Sequence, residues 1–222
     1  MKIKALLLAL LLVCSLPLSL CACVPRSNTV YMAVEDYGVI TIELYAKDAP
    51  KTVRNFKKLV KEGFYDGLTF HRIIESFMIQ GGCPNGDGTG DSGKDIKGEF
   101  SMNGVDTGLK HVEGTISMAR SGHDYERYLE AGYPFSKKDA DYIRSFYNTA
   151  SSQFFIVTET SANNTASLDG KYAAFGRVTD GMDIVKAIAA VDTGANDKPL
   201  TPVVIATVTF DKAAAEAALE AK

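Results

Sequence analysis

The feature that most constrains the fold of this chain is a succession of short apolar segments, each of strand length and bounded by turn residues. Two of them, 30–34 and 39–44, flank the turn-forming residues 35–38, which is typical of a β-hairpin. Apolar residues recur at helical spacing in two distant stretches, 53–60 and 180–191. Many short strands with two separate helices predict a closed antiparallel β-barrel rather than a doubly wound sheet.

The remaining predicted elements follow the first helix, which Thr52 can cap and Gly63 can end. Further strand-like segments are 68–80 with an interruption at Glu75-Ser76, 115–119, 152–158, 172–178 and 203–210. A polar, Tyr-rich insert, 123–150, breaks this series, and its residues 139–148 predict a short helix. The C-terminal tail, 212–222, is rich in Ala, Glu and Lys and predicts a frayed helix.

The N-terminal residues are typical of a bacterial signal peptide. Lys2 and Lys4 form a short positive region, and an unbroken apolar run follows at 5–13. That run is too short to span a membrane as a helix, and its flanks fit a cleavable leader. We therefore predict that residues 1–22 are a lipoprotein signal peptide and that the mature chain is exported.

The end of the leader resembles a lipobox, the sequence at which bacterial lipoproteins are cleaved and lipidated. Residues 20–23, Leu-Cys-Ala-Cys, place a Leu and a small residue at the expected positions before Cys23. The competing register, 18–21, puts a bulky Leu next to the cleavage point, and cleavage near Ala22 without lipid is the simpler alternative. We predict lipidation of Cys23, a lipidated linker at 23–28, and attachment to the extracytoplasmic face of the cell membrane.

Charge and cysteine usage exclude several classes of protein. The formal net charge is -3 and no basic patch stands out, so we expect no nucleic-acid partner. Cys14 and Cys21 would leave with the leader and Cys23 would carry lipid, which leaves Cys83 without a partner. An exported domain without an intramolecular disulfide is therefore expected, although its compartment would permit one.

No arrangement in the sequence predicts a metal, a cofactor or a hydrolase site. The histidines are His71, His111 and His123, and none is paired at helical spacing or grouped with cysteines as metal ligands are. The Gly-Xaa-Ser-Xaa-Gly elbow of serine hydrolases is absent from the sequence. We therefore expect a protein that works without metal or cofactor.

A glycine-rich loop matches two ligand-binding patterns incompletely. Residues 88–93 read Gly-Xaa-Gly-Xaa-Xaa-Gly, but no helical pattern follows them, as a dinucleotide site requires. Residues 85–91 resemble the start of a calcium loop, yet Ile96 stands where that loop needs a bidentate Glu. The pattern favours a glycine-rich turn, with calcium binding as the weaker alternative.

One charged residue interrupts an apolar strand in a way that needs an explanation. Unless a bulge intervenes, Arg72 shares parity with Phe70, Ile74, Met78 and Gln80. An Arg on an apolar face is costly unless it is paired or functional. From spacing alone, a structural Arg satisfied by its neighbours and a functional Arg are both open.

The same segment resembles the signature of the cyclophilin family of peptidyl-prolyl cis/trans isomerases. Residues 70–74 read Phe-His-Arg-Ile-Ile, and Phe-Met and Gln-Gly-Gly follow at 77–78 and 80–82. Other motifs of that family occur in the family's order at 49–56, 88–90, 109–111, 116–119, 152–156, 168–171, 175–178 and 181–182. The resemblance covers roughly 29–210 apart from the insert, and ordered motifs over that length are more specific than any one pattern.

This resemblance implies a mainly β fold over residues 29–211, a closed eight-stranded antiparallel β-barrel capped by two α-helices. It also implies a proline-binding groove on the outside of the barrel, in which Arg72 matches the catalytic arginine. The other matching positions line the groove: Phe77, Met78, Phe155, Leu168 and Tyr172 for the proline pocket, Gln80 and Gln153 as polar groups beside it, and Ala119, Arg120 and Ser121 for the substrate backbone.

Four departures from the family pattern occur, one of them at a pair of residues. Ser167 stands where Trp is frequent, and Tyr172 stands where His is frequent but can still form a wall of the pocket. Arg120 replaces a usual Asn and adds charge beside the groove, and residues 75–76, Glu-Ser, replace a Pro-Gly turn. Because Arg72 is retained, the resemblance implies activity with an altered substrate preference.

The function that follows is prolyl isomerisation that assists the folding of exported proteins. We expect Arg72 to stabilise the twisted prolyl amide of unfolded or proline-containing polypeptides, in a monomer bound to the membrane through its lipid. The alternative is a proline-peptide-binding chaperone or adhesin module with little turnover. The insert 123–150 is either a lid for polypeptide substrates or a self-packed loop, and the low entropic cost of long insertions slightly favours the loop.

Overall fold

The computed structural model describes residues 27–122 and 136–221. The predicted signal peptide, the lipidation site Cys23 and residues 123–135 of the insert lie outside these ranges. Within the described ranges, no helix combines the length and the apolar character that crossing a membrane requires. The described residues comprise the predicted domain, apart from part of its insert, and nearly all of the C-terminal tail.

The described residues contain eight β-strands that form one antiparallel sheet. Their bounds are Thr29–Val34 (β1), Gly38–Leu44 (β2), Arg72–Ile74 (β3), Met78–Gly81 (β4), Thr115–Met118 (β5), Phe154–Val157 (β6), Ala173–Asp180 (β7) and Ile205–Thr209 (β8). The order across the sheet is β3-β4-β6-β5-β7-β2-β1-β8. The other predicted strand segments are confirmed, whereas 68–80 divides into two strands, β3 and β4, at the predicted interruption.

Five α-helices accompany the sheet within the described residues. They are Pro50–Lys61 (α1), Lys137–Ser145 (α2), Ala162–Leu168 (α3), Met182–Ala189 (α4) and Lys212–Glu220 (α5), and 3₁₀ turns lie at Ser101–Asn103, Phe146–Asn148 and Ala195–Asp197. The two helices predicted from apolar spacing are α1 and α4, and α2 agrees with the helix predicted inside the insert. The sequence does not predict α3, because its residues Ala-Asn-Asn-Thr-Ala-Ser-Leu carry no apolar periodicity.

The sheet is an open, strongly curled half-barrel, and the expectation of a closed barrel is therefore wrong. The strands at its two ends, β3 and β8, do not pair with each other in a ladder. The chain before β3 meets the chain before β8 at one bridge, Thr69 to Val204, and Phe70 N–H donates to the Val203 carbonyl at 3.0 Å. Because this contact precedes β3, and β3 is only three residues long, the ring of strands is not completed.

The curled sheet and α1 enclose the main core, which contains a group of packed aromatic rings. Phe56 of α1 is fully buried, and its ring centroid lies 5.1 Å from those of Tyr65 and Phe175. The ring of Phe154 lies 5.9 Å from that of Phe56, edge to face. Such aromatic pairs contribute about 0.5–1.5 kcal/mol each beyond the burial of their area. The group therefore holds α1 against β6 and β7, which carry Phe154 and Phe175.

The N-terminus of α1 is capped by a distant carboxylate, and the prediction that Thr52 caps it is wrong. The N-cap residue is Ala49, which makes no side-chain capping hydrogen bond. The buried carboxylate of Glu99 accepts hydrogen bonds from the backbone N–H groups of Lys51 (3.1 Å) and Thr52 (2.8 Å). The Thr52 hydroxyl donates to the same carboxylate at 2.7 Å. The negative charge of Glu99 also interacts favourably with the positive end of the helix dipole.

The predicted helix in the C-terminal tail is confirmed, and it packs against the domain instead of standing apart as a frayed end. The Asp211 side chain caps α5 by accepting a hydrogen bond from the backbone N–H of Ala213 at 2.9 Å. Ala215 is fully buried, and α5 packs against β1 and β8. Tertiary packing thus supplies the stability that so short a helix lacks in isolation.

We expect Glu99→Gln to destabilise the domain by about 2 kcal/mol, because a charged acceptor of three hydrogen bonds, two of them buried, becomes a neutral one. The measurement is the free energy of unfolding from urea titration. Glu159→Gln changes an exposed carboxylate in the same way and is the matched control, with an expected change below about 0.5 kcal/mol. Equal effects of the two substitutions would contradict the capping role.

Candidate active site

A tight turn in the β3–β4 hairpin decides which side chains face away from the core. Residues 75–77 form the turn, with Ser76 in the left-handed conformation (φ 59°). Arg72 lies directly opposite Gln80, and the register is continuous, so the possible bulge does not occur. The shared face of Arg72 and Gln80 is thereby confirmed. Phe70 does not extend that face, because it precedes β3 and is buried in the main core.

The outward face of this hairpin forms part of a cavity of about 340 Å³, called the apolar cavity below because six of its nine lining residues are apolar or aromatic. A small group of buried apolar side chains, separate from the main core, lies against it: Met78, Phe155, Val157 and Leu168. The ring of Tyr172 meets that of Phe155 edge to face at 5.7 Å. The lining consists of residues that the family resemblance points to: Arg72, Phe77, Met78, Gln80, Ala119, Arg120, Phe155, Leu168 and Tyr172.

A polar cavity of about 180 Å³ adjoins the apolar one and shares Gln80, Ala119 and Arg120 with it. Its lining also contains Ser121 and Gln153, the two other groove residues that the resemblance points to. The glycine-rich loop and the end of the insert complete the lining. The structure therefore brings all the predicted groove residues together around two neighbouring cavities.

Two glutamine amides fix the boundary between the cavities. Gln80 Nε2 donates to Gln153 Oε1 at 3.0 Å. Gln153 Nε2 donates in turn to the carbonyls of Gly88 and Gly90, both at 2.8 Å, which holds the glycine-rich loop at the site. Gly82 has φ +83°, and a Cβ there would come within 2.5 Å of a backbone carbonyl on the facing chain. In the Gln-Gly-Gly motif, Gln80 thus supplies an amide held in place, and Gly82 allows the backbone to approach Ser152 closely.

The guanidinium of Arg72 is held by an acidic residue that the sequence analysis misses. Arg72 Nε donates to Asp197 Oδ2 at 3.2 Å, and both side chains are a little under half exposed. Asp197 and Asn196 both have left-handed backbone, with φ of 59° and 60°, which Asp and Asn adopt more readily than most residues. Arg72 and Asp197 are 125 residues apart, so no local spacing in the sequence links them.

Arg120 lies in a cage of aromatic rings between the two cavities. Its guanidinium carbon is 4.8 Å from the ring centroid of Tyr172, 5.1 Å from that of Tyr147 and 5.5 Å from that of Phe100. Its Nε also donates to the Lys171 carbonyl at 2.9 Å. Cation–π contacts contribute about 0.5–2 kcal/mol each. The Arg that replaces the family's usual Asn therefore ties the insert to the wall of the apolar cavity.

The described half of the insert packs into the domain. A reciprocal capping box begins α2, and Ile143 and Tyr147 are buried in the main core. The ring of Tyr147 meets that of Phe100 edge to face at 5.4 Å. This packing agrees with a self-packed loop for residues 136–150. A lid formed by residues 123–135 stays a prediction, because those residues lie outside the described ranges.

Two buried histidines lie near the cavities, and burial lowers the pKa of each. His111 Nδ1 lies 2.9 Å from Asp169 Oδ1, and its Nε2 lies 3.0 Å from Ser117 Oγ. Desolvation is the largest effect on the pKa of His111 and lowers it, while the carboxylate of Asp169 opposes it. Burial likewise lowers the pKa of His71, against the nearby charge of Asp87. Both imidazoles are therefore neutral at pH 7.

The glycine-rich loop satisfies its own polar groups. Asp87 Oδ1 accepts hydrogen bonds from Thr89 N–H at 2.9 Å and from the Thr89 hydroxyl at 2.6 Å. The buried thiol sulfur of Cys83 accepts a hydrogen bond from Gly90 N–H at 3.3 Å. Across residues 27–122 and 136–221, no three His, Cys, Asp or Glu side chains converge as metal ligands would. These internal contacts, together with the hydrogen bonds from Gln153, agree with a glycine-rich turn.

Sequence comparisons agree on one family. The family model described as "Cyclophilin type peptidyl-prolyl cis-trans isomerase/CLD" matches residues 29–135 and 142–210. The chain is 43% identical over 162 residues to peptidyl-prolyl cis-trans isomerase-like 1 of Rhizopus delemar, and the aligned region covers 72% of this chain and 80% of that protein. It is 41% identical over 165 residues to peptidyl-prolyl cis-trans isomerase B of Bacillus subtilis, which covers 74% of this chain and 93% of that protein.

A solved structure has the same fold. It is the crystal structure of a cyclophilin type peptidyl-prolyl cis-trans isomerase of Cryptosporidium parvum in the presence of the dipeptide Ala-Pro. The two structures agree with a TM-score of 0.63 at 27% sequence identity, over 82% of this chain and 98% of that chain. The fold and the sequence comparisons therefore point to the same family.

We expect the free energy of unfolding to fall as the pH is lowered from about 7 to about 5. A histidine with a lowered pKa in the folded state binds protons more readily when unfolded. Its contribution to the free energy of unfolding is therefore complete above about pH 6.5 and is lost as the pH falls below that value. Asp and Glu ordinarily titrate near pH 4 and contribute little in this window. Urea titrations at the two pH values give the difference, and His111→Gln should reduce it. An unchanged difference in that variant would exclude His111 as a source.

Proposed function

This chain belongs to the cyclophilin family of peptidyl-prolyl cis-trans isomerases (EC 5.2.1.8), and we propose that it acts on exported polypeptides with Arg72 as its catalytic residue. The observation that supports this most is a restrained guanidinium at the lining of an apolar cavity. The Ala-Pro dipeptide present with the similar crystal structure supports proline-containing peptides as substrates.

The reaction rotates one amide bond and neither makes nor breaks a covalent bond. Its barrier of about 18–20 kcal/mol comes from amide resonance, which is lost as the bond twists. The twist localises a lone pair on the proline nitrogen, so a cation near that nitrogen or the adjacent carbonyl binds the twisted state better than the planar states. Arg72 supplies this cation, and Asp197 restrains it through Nε, so that the terminal nitrogens serve the substrate.

The apolar cavity holds the proline ring while the preceding part of the substrate turns. Hydrocarbon and ring surfaces surround the proline: Phe77, Met78, Phe155 and Leu168. Exclusion of water from this cavity also strengthens the electrostatic effect of the guanidinium. An extended substrate that enters both cavities lies along residues 119–121. Ala119 and Arg120 line both cavities, and Ser121 lines the polar one. The residues before the proline then occupy the polar cavity.

The cellular part of the proposal rests on the N-terminal sequence. The positive region, the apolar run and the lipobox-like residues 20–23 support export and lipidation of Cys23. A monomer anchored in this way meets chains that leave the membrane unfolded. Uncatalysed prolyl isomerisation takes tens to hundreds of seconds, long enough to limit their folding.

A proline-peptide-binding module with little turnover is the second candidate, and the cage around Arg120 favours it. The cage stiffens the wall of the apolar cavity at Tyr172 and places a cation beside it. Both effects would strengthen the binding of a peptide without helping its amide to rotate. Turnover therefore separates the two candidates.

We expect Arg72→Ala to lower kcat/KM for a short Xaa-Pro peptide by about a hundredfold or more, since loss of one preorganised donor commonly has an effect of that size. Arg72→Lys should fall in between, because an ammonium keeps the charge but loses the planar fork. The measurement is cis–trans exchange of the peptide by NMR. The fold should persist, because the side chain is partly exposed.

Circular dichroism and urea titration are the controls for folding in this experiment. Wild-type rates in a folded Arg72→Ala protein would overturn the role proposed for Arg72. If neither the wild type nor the variant accelerates exchange, while both bind proline peptides, the binding module becomes the better description.

We expect Asp197→Gly to lower kcat by roughly tenfold with little change in KM, because a small misplacement of a catalytic group is enough for such a loss. Glycine removes the carboxylate without straining the left-handed backbone at this position. Asp197→Asn keeps an acceptor for Arg72 Nε and should retain most of the rate. Full activity of Asp197→Gly would show that Arg72 needs no partner. Loss of this exposed ion pair should change the free energy of unfolding by less than about 1 kcal/mol.

A further inference from the structure

A cationic groove of about 670 Å³ runs between α1 and the loop at 94–97, outside the candidate active site. Six exposed cations line it: Lys51, Arg54, Lys58, Lys61, Lys94 and Lys97. Acidic side chains beside them, among the described residues, include Glu62, which lies 3.7 Å from Lys58 Nζ, and Asp95 in the loop. The side chains around this groove therefore carry an excess of positive charge.

The groove arises because α1 separates two kinds of residue onto two faces. Positions 51, 54, 58 and 61 recur at intervals of three and four residues, which places them in one exposed stripe. The opposite face carries buried residues such as Phe56 and packs on the core. The chain as a whole has 27 acidic residues against 24 Lys and Arg, so this stripe opposes the average charge.

This basic patch does not stand out in the sequence. The cations of α1 are interleaved with apolar residues in the sequence, and Lys94 and Lys97 join them only through the fold. A run of like charges, the usual signal of a basic patch, is absent although the surface patch is present.

The N-terminal chain enters the fold beside this groove. Lys57 Nζ donates to Asn28 Oδ1 at 2.8 Å, and the carbonyl of Asn28 accepts from Leu44 N–H at 2.7 Å. Lys57 follows Arg54 by three positions and precedes Lys61 by four, so it neighbours both on the helix surface. The tether to any N-terminal anchor thus starts at the edge of the cationic stripe.

We propose that the cationic groove docks on the anionic lipid surface of the membrane in which the chain is anchored, an inference that rests on the proposed lipidation of Cys23. The five residues from Cys23 to Asn28 span at most about 17 Å, which keeps α1 near the surface. Charges interact with the surface within a Debye length of about 8 Å, and each Lys or Arg there strengthens binding by roughly fivefold. Six cations on one face are enough to orient a tethered domain.

Docking of this groove also orients the active site. Asn55, which lines the groove, donates through Nδ2 to the carbonyl of Ser151 at 2.7 Å. The hydroxyl of Ser151 donates to the carbonyl of Lys94 at 2.9 Å, and Ser151 lines the polar cavity. The groove and the polar cavity therefore share a wall, and the docked domain presents that cavity close to the membrane surface, where exported chains emerge.

The test uses the full chain, purified from bacterial membranes and reconstituted into vesicles that carry a nitroxide headgroup lipid. One vesicle is phosphatidylcholine alone, and the other contains phosphatidylcholine and phosphatidylglycerol in equal parts. A fluorophore is attached at Asp95→Cys in the groove loop or, as the matched control, at Asp183→Cys on α4. Both substitutions replace an exposed Asp.

We expect the label at position 95 to be quenched more strongly than the label at 183 on anionic vesicles, beyond any excess on neutral vesicles, where only the tether acts. This additional excess is the difference that the variants test. Combining Arg54→Gln, Lys58→Gln and Lys61→Gln should weaken docking by about a hundredfold and remove the difference. Combining Lys137→Gln, Lys138→Gln and Lys212→Gln changes the net charge equally on other exposed surfaces and should leave the difference intact. Isomerase activity on a short peptide should be the same in both triple variants.

Equal quenching at the two positions on anionic vesicles, or a difference that survives in the groove variant, would overturn the docking proposal. A groove variant that keeps the difference but loses kcat/KM for acidic peptides would reassign the groove to substrate. If the chain does not co-float with either vesicle in a density gradient, the lipid anchor is refuted, and the docking proposal with it. If the wild type shows no isomerase activity, only the proposed enzymatic function is refuted.

Discussion

The two-faced β3–β4 hairpin is the constraint on which the candidate site depends. Ile73 and Ile79 are buried in the main core, and side chains alternate along a strand. Arg72 and Gln80 must then point the other way, where the apolar cavity lies. A slip of one residue would bury the guanidinium and expose the two isoleucines, so the core itself holds the register that places Arg72 in the candidate site.

The groups around Arg72 are preorganised by contacts from loops rather than from strands. Asp197 reaches the guanidinium from a 3₁₀ turn, and Gln153 holds the glycine-rich loop beside Gln80. The ring of His111 stacks on Phe155 at 6.0 Å and is itself fixed by hydrogen bonds at both nitrogens. Such preorganisation is what the proposed mechanism needs, because twisting an amide calls for placed charge and shape rather than for a bond-forming group.

Much of the fold could be predicted from the sequence, and the errors share a cause. The hairpin from 29 to 44 and the pairing of Arg72 with Gln80 depend on alternation and on a turn within a few residues. The cap of α1 was assigned to Thr52, whereas Glu99 supplies it from 47 residues away. Closure of the barrel was expected from the number of strands, but it depends on how the chain before β3 meets β8. Patterns within a short stretch of sequence do not indicate which distant segments come into contact.

The sequence by itself determined the family, the strands and the residues around the two cavities, because motifs and alternation are written within short segments. Only the tertiary structure decided that Asp197 restrains Arg72, that three rings enclose Arg120, and that cations from α1 and a distant loop form one groove. Each of these depends on the path of the chain between remote positions. That path is selected by the burial of the whole core, which no local pattern encodes.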